Sequence, residues 1–142
     1  MTETEPSFIY MVGRVNQGIR REMRARLADC GLSVAEYTTL SVLEGRPELS
    51  NAQLARRALV TPQSMIEILA QLEQRGLVER HVDPQHGRIL RACLTPNGEE
   101  VLAVANPAVA ALNDELFAGM PASQRRAASA ALRAAMENLS NP

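Results

Sequence analysis

The residues best suited to chemistry lie in one short stretch. From Pro62 to Arg75 the apolar side chains Met65, Ile68, Leu69 and Leu72 recur at helical spacing, leaving Gln63, Ser64, Glu67, Gln71 and Gln74 unused by burial. Gln and Ser form hydrogen bonds of the kind that suit base edges or phosphates. Glu67 is awkward beside phosphate; it can accept from a cytosine amino group or turn aside to an arginine. Thr61 is a good N-cap, and Pro62 takes the first helical position, where a missing N–H costs nothing. A second set follows at Arg80, Arg88 and Arg91, around the turn Asp83-Pro84-Gln85-His86-Gly87-Arg88. An arginine on a flexible tip can enter a narrow, negative minor groove.

Other chemistries are poorly served. There is no phosphate loop, no GxSxG, and no His–Cys or His–Ser constellation in a recognisable context, so an enzyme is not expected and no cofactor is implied. His81, His86, Cys30 and Cys93 show no close ligand pair of the CxxC or HxxxH kind, and no metal is expected from the spacing. Two cysteines are too few for a disulfide scaffold. Cys30 falls at the C-terminal end of the first predicted helix, which does not favour thiolate, and Cys93 sits on a predicted strand. Both read as small packed side chains.

The elements that position these residues follow from periodicity. Phe8, Met11, Val15, Ile19, Met23 and Leu27 form one face of a helix over about 7–28, with Gly31 as its stop. Ser33 and Glu36 make a capping box for a second helix striped by Tyr37, Leu40 and Leu43, which Gly45-Arg46-Pro47 ends. Ser50 opens a third, short helix with Ala52, Leu54, Ala55 and Ala58. The helix over 62–75 comes next, ended by Gly76. The period then shortens to two, giving strands over 77–82 and 89–94 joined as a hairpin. Thr95-Pro96 starts a fifth helix with Val101, Ala105, Val109, Leu112 and Leu116 on one face and a kink expected at Asn106-Pro107. After Gly119 a last helix over about 122–139 carries Ala128, Leu132, Ala135, Met136 and Leu139.

This order predicts a mainly α fold with a small β-hairpin wing: a winged helix-turn-helix, its turn near Leu59-Val60. Residues 33–95 make the winged unit. Residues 1–32 and 96–142 form a helical region whose apolar stripes have little local partner surface, and a second copy of the chain is a natural cover. With 142 residues the chain is about one domain's worth. Its 15 Lys+Arg are all arginine and balance 16 Asp+Glu, so any basic surface must come from local placement. From Ser50 to Thr95 the excess is two: six arginines against Glu67, Glu73, Glu79 and Asp83. No run approaches a membrane span, and the acidic, polar stretch from Met1 to Ser7 is unlike a secretory signal, so a cytoplasmic location is expected.

Several segments together resemble the MarR family of bacterial transcriptional regulators. They are Leu54-Ala55-Arg56-Arg57, Val60-Thr61-Pro62-Gln63-Ser64-Met65, Leu72 to Arg80, Asp83-Pro84 with Arg88, and Leu94-Thr95-Pro96-Asn97-Gly98. Gly31-Leu32-Ser33 and the two C-terminal helices also fit, so the resemblance covers about residues 8–139. It implies a homodimer paired through its end helices, a near-palindromic double-stranded DNA site, and a ligand or oxidant that weakens DNA binding. It implies that Gln63 and Ser64 lie at the DNA and Arg88 at the wing tip. It further implies a crevice for small aromatic acids or phenols, which Met11, Arg14, Tyr37 and Ser41 would line, Arg14 facing a carboxylate and Tyr37 a ring substituent. An exposed helix arginine and a core tyrosine would look the same in sequence. The tip departs from the family pattern, reading His86-Gly87-Arg88 where an acid and a second arginine are usual. Two other readings stay open: a degenerate winged helix that binds a protein partner, and a regulator switched by oxidation of Cys30.

Overall fold

In the computed structural model, which describes residues 4–140, each of the first five helices starts where a capping side chain supplies the missing acceptor. Residues 1–3 and 141–142, at the ends of the expected helical region and within the Met1–Ser7 stretch, lie outside the described residues. Ser7 accepts from the Tyr10 N–H and opens α1, Phe8–Ala28. Ser33 and Glu36 close the expected capping box on α2, Val34–Gly45. Ser50 and Gln53 close a second box on α3, Asn51–Ala58. Thr61 caps α4, Pro62–Gln74, with Pro62 at its first turn. Strands β2, Val78–Val82, and β3, Leu90–Leu94, form the hairpin; α5 spans Pro96–Leu116 and α6 spans Ala122–Ser140.

One strand was not foreseen. Leu49–Ser50 forms β1 and pairs antiparallel with β3, giving the sheet order β1-β3-β2. Two residues are too few to show a period, and the capping role of Ser50 dominates the local sequence. At Asn106-Pro107, where a kink is expected, α5 runs on as one helix with Pro107 inside it.

The chain divides into two compact units, Met1–Val109 and Ala110–Pro142. The first holds a core of Leu27, Leu40, Leu43, Leu54, Met65, Leu69, Leu72, Val78, Ala92 and Leu102, all nearly inaccessible. Here the 3.6-residue stripes of five helices and the inward side chains of two strands converge. Gly98 makes one close approach possible. A Cβ at this position would lie 2.1 Å from the Leu77 carbonyl oxygen, so no other residue fits without backbone movement. Thr95 completes the junction, donating its hydroxyl to the Gly76 carbonyl and accepting from the Gly98 N–H.

Within the first unit, α1 is buried unevenly. Leu27 is fully covered and Met23 packs on the core, whereas Phe8, Ile9, Tyr10, Met11, Val12 and Val15 are exposed. In the second unit α6 has no buried residue, and Leu132, Met136 and Leu139 face outward. Arg125 there lies over the Phe117 ring at 4.8 Å and 3.9 Å from Asp114.

Candidate nucleic-acid interface

The turn between α3 and α4 sets the direction of the second helix. Leu59 caps α3 in the left-handed region, at φ 59°, and the Val60 N–H returns to the Ala55 carbonyl. Asn51 Nδ2 donates across the turn to the Pro62 carbonyl at 3.1 Å, tying the start of α3 to the start of α4. The Thr61 hydroxyl accepts from the Ser64 N–H and donates to Ser64 Oγ at 3.0 Å. Ser64 therefore keeps its own hydroxyl proton for an external acceptor. Met65, Leu69 and Leu72 fill the core, and Thr61, Pro62, Gln63, Glu67 and Gln71 are exposed, with Ser64 half-buried. The six positions singled out on this helix thus share its solvent side or its entrance.

The three wing arginines differ. Arg80 pairs with Glu73 at the end of α4. Arg91 Nε donates to Asp83 Oδ2 at 2.6 Å, and its Nη1 reaches the Glu48 carbonyl at 3.1 Å, so the wing strands are tied to the segment before β1. Arg88 is exposed and makes no hydrogen bond or ion pair with the described residues. Asp83 organises the tip: its Oδ1 accepts from the Gln85 and His86 N–H groups. The Gln85 N–H first, then Arg91, and least the His86 N–H, hold its carboxyl below the usual carboxylate range. The acid of this wing thus orients the root arginine, Arg91, and leaves the tip arginine, Arg88, unpaired.

Of the four positions expected around a ligand crevice, Tyr37 and Ser41 lie side by side on α2. Met11 and Arg14 are exposed on α1, where Arg14 donates to the Tyr10 hydroxyl at 3.0 Å and lies over its ring. Tyr37 is buried and donates its hydroxyl to Asn106 Oδ1 at 2.9 Å, with Ser41 beside it. Asn106 in turn donates to Glu44 at 3.4 Å. Burial raises the Tyr37 pKa, so the phenol stays protonated and keeps donating. The one sequence signal for Asn106 is a polar residue on an otherwise apolar helix face, since its partner Tyr37 is 69 residues away. Cys30 packs against the core, as read. Cys93 is half-buried; burial first, then Glu79, pushes its thiol up.

An exposed, capped helix after a tight turn, followed by a hairpin rooted on a three-stranded sheet, defines a winged helix-turn-helix protein. The comparisons narrow the class. The MarR family model matches residues 31–89. A curated relative, the HTH-type transcriptional repressor Rv2887 of Mycobacterium tuberculosis, is 38% identical over 117 residues, covering 82% of this chain and 84% of the relative. A MarR family regulator from Silicibacter pomeroyi superposes with a TM-score of 0.83 at 30% identity, over 91% of this chain and 87% of that one. Rv2887 solved in complex with DNA superposes with a TM-score of 0.74 at 33% identity, over 91% and 97% of the two chains. The chain belongs to the MarR family and is a DNA-binding transcriptional regulator of that type. Among the described residues no helix is long and apolar enough to cross a membrane.

Proposed function

We propose that this protein is a homodimeric repressor that binds a near-palindromic DNA site and is released by a small aromatic acid or phenol. Gln63, Ser64, Glu67 and Gln71 enter the major groove, with Thr61 and Pro62 at the phosphate edge and Arg88 in the minor groove. Arg80 and Arg91 act from behind, holding the wing by their ion pairs. Residues 1–32 and 96–142 form the dimerisation region around the winged unit 33–95. The observation that carries this reading is the exposed polar row on α4 in the same unit as an unpaired arginine at the wing tip. Support for the ligand comes from Rv2887, which has also been solved in complex with salicylic acid. In this reading Arg14 exchanges Tyr10 for the ligand carboxylate, and the Tyr37 and Ser41 hydroxyls meet the ring substituent.

The test is a selection of binding sites from random duplexes, followed by anisotropy titrations of the winner. Two inverted half-sites with centres about one helical turn apart, ~34–36 Å, are expected. Gln63→Ala should alter the consensus, and Arg88→Ala should weaken binding and reduce the salt slope by about one. Salicylate should dissolve the complex of the native protein and leave that of Arg14→Ala intact. Sequence-blind binding, or a consensus unchanged by Gln63→Ala, would overturn direct readout by α4.

A further inference from the structure

The outer face of the small sheet carries a group that the DNA-binding reading does not use. The antiparallel register sets Glu79 opposite Cys93 and His81 opposite Arg91, and alternation puts Glu79, His81, Arg91 and Cys93 on one face. Glu48, just before β1, donates its N–H to the Ala92 carbonyl, which brings its side chain alongside. The result is a nitrogen, a sulfur and a carboxylate from three separate segments. Ligand atoms of Glu48, His81 and Cys93 all lie within 4.8 Å of one another. His81 Nε2 is 2.5 Å from Glu48 Oε2, and Glu79 Oε1 is 3.5 Å from Cys93 Sγ.

We propose that Glu48, His81 and Cys93, with Glu79 completing the set, form a binding site for a zinc-class divalent cation at the root of the wing. The donor types fit: zinc takes Cys sulfur, His nitrogen and carboxylate oxygen in a tetrahedron. Ligand atoms on one tetrahedral zinc lie roughly 3.3–3.8 Å apart, from bond lengths of ~2.0–2.3 Å. A group already within 4.8 Å closes by side-chain rotation, with the strands fixed. Three potential anions against one imidazole favour a cation there. Arg91, on the same face opposite His81, is turned to Asp83, Gln53 and the Glu48 carbonyl. Glu48 and His81 are exposed and Cys93 is half-buried, so an ion can reach the site from solvent. A bound ion would cross-link the segment before β1 to both strands of the hairpin.

Cobalt(II) is the probe, because its thiolate complexes show a charge-transfer band that its oxygen and nitrogen complexes lack. Titration of the metal-free, reduced full chain should give this band, saturating at one ion per chain and displaced by zinc. Cys30→Ser should keep the band and Cys93→Ser should lose it, which assigns the sulfur. Even outer hydrogen-bond partners of metal ligands are worth about 10–100-fold in affinity, so His81→Gln should weaken binding by at least about tenfold. No band with the native chain, or a band that survives Cys93→Ser, would overturn the site and leave His81 and Glu48 as a close contact between neighbouring side chains. Each readout is made without DNA and is independent of the operator test.

Discussion

The winged unit and the outer helices solve the same problem differently. Both have apolar stripes at helical spacing. In the winged unit the stripes of α2, α3 and α4 meet one another and the sheet, and Leu40, Leu54, Leu69 and Leu72 are essentially inaccessible. The N-terminal half of α1 and the whole of α6 keep their stripes exposed, with Ile9 at 84% and Leu139 at 87% of full accessibility. The pattern of side chains is similar; the supply of partner surface is not. One region closes its core within a single chain, and the other keeps apolar surface open, which in the proposed homodimer a second copy covers.

The most direct way to break this contrast is to charge the open faces. Leu132→Glu with Met136→Glu should convert a dimer to a monomer in sedimentation velocity. Each buried apolar side chain is worth about 1.5–3 kcal/mol, and a twofold interface counts each twice. The far-ultraviolet spectrum of the winged unit should persist; its collapse would mean that the core depends on the outer helices. Next in size, Leu72→Ala should cost about 2–5 kcal/mol in denaturant unfolding, because its site is fully enclosed. A loss comparable to that of an exposed alanine substitution would deny the closed core. Gly98→Ala should cost about 1–3 kcal/mol through its clash with the Leu77 carbonyl. Leu59→Gly should do the opposite, raising stability by about 0.5–1 kcal/mol by relieving the left-handed strain at φ 59°. A last change sharpens the contrast through pH. The Asp83 carboxyl is held below its ordinary range in the folded state, so its contribution is present above about pH 4, its unfolded range, and is lost as pH falls through the lower folded value. Asp83→Asn should flatten this acid dependence for the wing amides in hydrogen exchange and leave α1 unaffected.

The helices were legible because their signals are local. Ser33 with Glu36, Thr61 with Pro62, and Gly31 at φ 70° each act within a few residues, and all appear where the sequence put them. The hairpin was legible from its change of period. What escaped depends on pairing between distant segments. Leu49–Ser50 becomes a strand only because β3 offers it an edge. Arg80 and Arg91 belong to the candidate DNA-binding set, and their pairing with Glu73 and Asp83 had no signal, because spacings of seven and eight residues mean nothing without the turn geometry. Tyr37 and Asn106 are 69 residues apart. The exposed row on α4 needed no such pairing, since the core positions of one helix fix which side chains are left over.

The way Asp83 holds the wing also bears on how such a protein can change over generations. One carboxylate fixes the turn through two backbone N–H groups and anchors the root through Arg91. The side chains of Gln85, His86 and Arg88 carry none of that load. Substitutions there can retune what the wing touches without endangering the fold, so the tip is free to drift toward new DNA sites while its anchor stays under constraint.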